Sequence, residues 1–186
     1  MIKLKLFIIT FFLLLNISCK KNGKNEPDIN GDITLSSKIL GSQIFYSNGY
    51  SFEKEIFIST LNPPDIIDIY LISSYSGSQT THVQFATKEI PGTTYGFHMN
   101  AIFSDSLDAL AYFNNYRTAV DIIPPFTILT DTIRKNQIWT LRTWKDNYVK
   151  ILVKNVRPVS ISPSENHIEV DIKYFIQRDG SAIFTE

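Results

Sequence analysis

Five side chains carry most of the metal and cofactor chemistry available to this chain: His82, His98, His167, Met99 and the single cysteine, Cys19. Two imidazoles, or an imidazole and a thioether, placed on opposite sides of a porphyrin make an axial ligand pair. His82, His98 and Met99 are the candidates for such a haem site. Consecutive residues of a strand face opposite ways, so His98 and Met99 of a regular strand cannot both aim at one iron. His167 opens a strand and reads as a turn-exposed side chain. No closely spaced set of His, Cys, Asp and Glu has the pattern of a zinc centre, so no metal site is expected. Asp65 and Asp68 stand close, but after Pro63-Pro64 they read as the start of a strand. There is no G-x-S-x-G elbow, no H-E-x-x-H and no glycine-rich phosphate loop, and the chain reads as a non-enzyme.

Cys19 has a context of its own. Residues 1–18, MIKLKLFIITFFLLLNIS, hold Lys3 and Lys5, then an apolar run from Leu6 to Leu15 interrupted only by Thr10, then the small residue Ser18. That run is well short of the roughly 20 apolar residues that span a bilayer, and the pattern is that of an export signal. A thiol directly after it can take a thioether-linked diacylglycerol. Ile17, Ser18 and Cys19 resemble the lipobox of bacterial lipoproteins, which implies cleavage before Cys19 and lipid attachment there. Lys20 stands where an aspartate would favour inner-membrane retention, so the expected address is the outer membrane, on its periplasmic or cell-surface face. Residues 19–32 are polar, with no aromatic side chain, and read as a tether. Residues 33–186 are expected to form a single domain.

Removing the leader changes the charge. The whole chain has 18 Lys+Arg and 18 Asp+Glu; without Lys3 and Lys5 the remainder carries a net −2, which excludes a polycationic nucleic-acid binder. With one cysteine no internal disulfide is available.

The elements that must position these residues are mainly strands. Ile39 to Tyr46 and Tyr50 to Ser59 flank Asn48-Gly49, a dipeptide suited to a type I′ hairpin turn. Asp68 to Ser73, His82 to Ala86 and Tyr95 to Phe103 read as further strands. One helix is expected over Asp105 to Tyr116, capped by Ser104, with Leu107, Leu110 and Ala111 spaced along one face and Ala109 and Phe113 alongside. In Tyr148 to Val156, Val149, Ile151 and Val153 alternate with Lys150 and Lys154. In Ile168 to Gln177 the alternation is unbroken. Pro158 marks an edge or a bulge. The fold class expected is mainly β: an antiparallel sandwich or open barrel with one short helix.

Most aromatic residues are expected in the core, with Tyr46, Tyr50, Tyr95, Trp139 and Trp144 near turns and available for surface recognition. Arg142, Lys150 and Lys154 form a candidate cationic stripe on a solvated sheet face, with Asp146, Glu169 and Asp171 to neutralise it.

The stretch from Trp139 to Phe184 resembles the C-terminal hairpin of the HmuY-like lipoproteins of Bacteroidetes. Asp146, Tyr148, Lys150, Ile151, Tyr174, Asp179, Gly180 and Ser181 carry the likeness, over about a quarter of the chain. The resemblance implies an all-β outer-membrane lipoprotein that captures haem between two axial side chains. The residues before the hairpin do not match the family's ligand segment. Two functions follow as expectations: a lipid-anchored binding module for haem or another small ligand, working with a TonB-type outer-membrane receptor; or a structural or protein-interaction lipoprotein with no small-molecule site.

Overall fold

The long alternating runs near the C-terminus form the two central strands of the molecule. The structure is a computed structural model that describes residues 29–40, 47–60, 66–76, 79–88, 95–119, 126–160 and 166–184. Its elements are β1 (Ile29–Ser36), β2 (Asn48–Ser51), β3 (Ile56–Ser59), β4 (Tyr70–Ser76), β5 (Gln79–Ala86), β6 (Gly96–Ile102), helix α1 (Ser106–Asn115), β7 (Gln137–Arg142), β8 (Tyr148–Ser160) and β9 (Asn166–Gln177). The main sheet is antiparallel, with strand order β3-β2-β1-β9-β8-β7-β6, and β4 and β5 form a separate hairpin. The chain is mainly β with one helix among the described residues, as its alternation requires.

Each face of the main sheet has its own cover. Val149, Ile151 and Val153 of β8 and Ile168, Val170, Ile172, Tyr174 and Ile176 of β9 pack against Leu71, Val83 and Phe85 of the hairpin. Phe85 stacks on Phe97 and meets Trp139 edge-on. Burying a side chain of this size contributes roughly 1.5–3 kcal/mol. On the opposite face Ile138, Leu152 and Phe175 pack against Ala109 and Phe113 of α1 and against Phe184 beyond β9. Two sheets face to face, with a helix behind the larger, make a sandwich with a third layer.

Several expectations are corrected. Residues 29–32, assigned to the tether on their polarity, are the first half of β1, paired from Ile29↔Ile176 onward; backbone pairing with β9 orders them whatever their side chains. Ile39 and Leu40 are not in a strand, and 41–46, with Tyr46, lie outside the described residues, as do Cys19, Asp65, Pro63-Pro64 and Pro124-Pro125. Pro158 lies on β8 beyond its last pairing with β7, Ile138↔Leu152, where a missing N–H costs no ladder bond, and β8 also bulges at Val153/Asn155.

Asn48-Gly49 is not a turn. Both residues lie in β2, paired with Ser59 and Ile58, and the hairpin closes instead through Phe52–Glu55, where Glu55 takes φ 57° and its N–H donates to Ser51 O at 2.8 Å. The glycine serves close approach. A Cβ at Gly49 would lie 2.3 Å from Ile67 Cγ2 and 2.9 Å from Ile69 O, because the segment before β4 crosses β2 there, with Tyr50 N donating to Ile69 O at 2.8 Å. Gly49→Ala is expected to cost roughly 1–3 kcal/mol by overpacking, read as a lower urea midpoint at unchanged slope.

The helix begins one residue later than expected. Asp105, in extended conformation, is the N-cap, and its Oδ1 accepts from Leu107 N at 2.7 Å and Asp108 N at 3.3 Å. The buried stripe is Ala109 and Phe113, four apart, the small alanine letting the helix approach the sheet. Leu107 is 76% exposed and Leu110 lies at the margin, so the spacing of Leu107, Leu110 and Ala111 does not define the core face.

Candidate functional site

The histidines do not converge. On β5, Val83 and Phe85 point into the core, so by alternation His82 points away from the main sheet. On β6, Phe97 faces the hairpin and His98 faces the helix side, level with Thr140, while Met99 turns back beside Trp139. The three candidate haem ligands therefore face outward, backward and forward across two layers, and the structure brings no two of them to one iron. His167 is the second residue of β9, but it is buried, with Nε2 3.6 Å from Glu169 Oε1, because it lies inside the β8–β9 pairing opposite Val159. Among the described residues no cluster of three metal-ligating side chains is present.

Met99 lines a shallow cleft of about 200 Å³ with His98, Trp139, Leu129 and Thr127. Thr127 bridges the start of β6, exchanging hydrogen bonds with Phe97 at 2.8 and 2.9 Å. Gly96, at φ 134°, makes that approach possible, since a Cβ there would sit 2.5 Å from Thr127 O. Met99 and Leu129 of its lining are exposed, as are Ile102 at the end of β6 and Ile128 beside Leu129 in sequence. Small-molecule pockets run to roughly 300–1,000 Å³, so this cleft suits a protruding side chain better than a cofactor.

The aromatic residues nearest to turns are mostly internal. Tyr50, Tyr95 and Trp139 are buried and Trp144 is exposed. Tyr50 and Tyr174 bring their hydroxyls to 3.2 Å, and burial, then that hydrogen bond, push the Tyr50 phenol above its ordinary range.

The expected cationic stripe is also broken up. Arg142 pairs with Asp146 at 3.0 Å and Lys154 with Asp32 at 3.0 Å. Arg157 holds both Glu169 and Asp171. Burial opposes ionisation of Asp171, yet hydrogen bonds from Thr34 and Arg157 together keep its carboxyl below the usual range. Lys150 is fully buried beneath α1. Its Nζ donates to Phe113 O at 3.0 Å and Tyr116 O at 3.2 Å, and lies 4.9, 5.0 and 5.6 Å from the ring centres of Phe113, Phe175 and Phe184. The helix ends without a glycine, so its last carbonyls need an outside donor.

A second buried ionisable group, Asp68, sits beside the β2–β3 turn. Asp68 is 2% exposed, and its Oδ2 accepts from Phe52 N at 2.8 Å and Ser51 Oγ at 3.3 Å. Burial pushes its carboxyl up to about 7; the Phe52 hydrogen bond pulls the other way, and the negative charge of Glu53 adds to the rise. Glu53 itself accepts from Asn147 Nδ2 at 2.7 Å and Thr143 Oγ1 at 3.2 Å, tying the β2–β3 turn to the β7–β8 turn.

An open concavity with convergent cations lies where α1 meets the sheet. It is a groove of about 340 Å³, with Leu107, Leu110 and Leu152 on its walls and Lys135, Lys154 and Lys173 at its rim. The register sets Asp32, Lys173 and Leu152 side by side across β1, β9 and β8. Asn136, at φ 66°, fixes the turn that carries Lys135: its N–H donates to Val153 O at 2.8 Å and its side chain accepts from Ser106 Oγ at 3.0 Å. Nothing in the spacing of Lys135 marked it for this rim. Compared with known families and curated proteins, the chain matches no family model and no curated sequence.

Proposed function

We propose that this chain is a lipid-anchored, non-catalytic binding module of the bacterial outer membrane, acting on a protein partner such as a TonB-type receptor, as its resemblance to the HmuY-like lipoproteins suggests. The observation that carries the partner is the β6 edge, where Met99 and Leu129 are exposed on a cleft too small for a cofactor, with Ile102 further along β6 and Ile128 next to Leu129 in sequence also exposed. An exposed apolar group of this kind is characteristic of an interaction surface. The anchor is supported by Cys19 following an export signal.

The test has two readouts. Mass spectrometry is expected to find a diacylated Cys19 at the mature N-terminus, and Cys19→Ala is expected to move the protein from the outer-membrane to the soluble fraction. Met99→Glu with Leu129→Glu is expected to leave fractionation unchanged while reducing receptor co-purification at least tenfold. A soluble, unacylated wild type removes the anchor, and undiminished co-purification removes the β6 edge.

A further inference from the structure

We propose that the groove between α1 and the sheet docks on the phosphate-bearing headgroups of the membrane that holds the anchor, with Lys135, Lys154 and Lys173 meeting phosphate and Leu107 entering the interface. The proposal rests on the lipid anchor at Cys19. Three lysines and one acid, Asp32, line the groove, a local net of +2 in a chain whose 18 Lys+Arg and 18 Asp+Glu balance overall. Lys154 and Asp32 form an exposed pair; such pairs are weak and exchange readily for a phosphate. Among the described residues Lys135 and Lys173 have no acidic partner.

The apolar part is equally specific. Leu107 is the most exposed large apolar side chain of the described residues, at 76%. It stands on the first turn of α1, with Leu110 a turn further on. Asp105 and Asp108 flank Leu107 on the helix itself, so the cations beside it come from the turn before β7 (Lys135), from β8 (Lys154) and from β9 (Lys173).

Chain length places the groove where it can act. Asp32, on the groove wall, is thirteen residues from Cys19, and thirteen residues span at most roughly 43–47 Å. The anchor therefore keeps this face within reach of the bilayer. The volume, about 340 Å³, equals about ten water-sized groups at roughly 30 Å³ each, enough for a headgroup and the first part of a chain. Each lysine is expected to contribute roughly fivefold to binding of an anionic surface.

Acylation occupies Cys19, so Ala111→Cys supplies the one free thiol of the mature chain, on the exposed helix face four residues from Leu107. The lipidated full chain, labelled there with an environment-sensitive dye, is reconstituted into vesicles of phosphatidylcholine or of equal parts phosphatidylcholine and phosphatidylglycerol. Flotation with the neutral vesicles reports the anchor alone. The expected result for the groove is a blue-shifted, brighter emission on the anionic vesicles only. High salt and the Lys135→Glu/Lys173→Glu variant, its fold checked by circular dichroism, are expected to abolish it. Equal emission on both vesicle types, with flotation intact, overturns the groove and leaves the anchor standing. An equal shift with millimolar inorganic phosphate and no vesicles also overturns it, in favour of a soluble phosphate ligand.

Discussion

Lys150→Ala is expected to lower stability by about 2–5 kcal/mol, the range for truncating a large buried side chain to alanine and leaving a cavity. Two losses add. The Phe113 and Tyr116 carbonyls lose the donor that satisfies them, and an unsatisfied buried acceptor costs roughly 1–3 kcal/mol. The four-carbon stem leaves a void among Phe113, Phe175 and Phe184. Relief from holding an ammonium away from water offsets part of this. Lys150→Met separates the terms: it refills the void but supplies no donor, and is expected to cost roughly 1–3 kcal/mol. Urea unfolding measures both, and near-ultraviolet circular dichroism follows the aromatic cluster. If Lys150→Ala shifts stability by under about 1 kcal/mol, the ammonium does not hold the helix to the sheet.

The second large effect is a pH dependence at Asp68. Its carboxyl is pushed from an ordinary value of 3.8 to about 7 in the folded chain. The folded state thus holds a proton that the unfolded state has released across this window. Stability from that proton is fully present below about pH 4 and is lost as pH rises through about 7. At about 1.4 kcal/mol per unit the loss is on the order of 4 kcal/mol by pH 8. Asp68→Asn keeps an oxygen for the Phe52 N–H and cannot ionise. Relative to wild type it is expected to gain stability from about pH 4 to about pH 7 and to level off above that, ending more stable by a few kcal/mol. Taking the difference between the two proteins at each pH cancels every other titrating group. A difference that does not change with pH would show that Asp68 stays ionised throughout.

The parts of this fold that were legible are those where one short-range rule acts alone. The alternation of Ile168, Val170, Ile172, Tyr174 and Ile176 needs no knowledge of the partner, since any half-buried strand shows it, and it appears unchanged in β9. Lys150 failed the same rule because it occupies a face that is wet at Lys154 and covered by α1 four residues earlier. Only the helix decides between them, and it comes from 35 residues away. Asn48-Gly49 has the composition of a turn, but the need for a glycine there comes from Ile67 and Ile69 crossing β2. The candidate ligands failed for a related reason. His82, His98 and Met99 were grouped by chemistry, whereas alternation and the layer to which each strand belongs set their directions. The groove was not legible at all, because Lys135, Lys154 and Lys173 become neighbours only when a turn, a bulged strand and β9 are assembled.

The sheet also constrains the order of assembly. β1, the earliest described strand, pairs along its whole length with β9, the last, from Ile29↔Ile176 to Ser36↔Glu169. A chain made or threaded through a membrane pore N-terminus first has β1 available long before any partner for it exists. Contacts of such sequence separation form slowly, because loop-closure entropy must be overcome before they stabilise anything. The large sheet cannot close until nearly the whole chain has emerged, and until then β1 remains an open strand edge for a chaperone to hold. Under the export and anchoring proposed above, this late closure keeps the chain extended enough to be moved, and it locks the fold only on the far side.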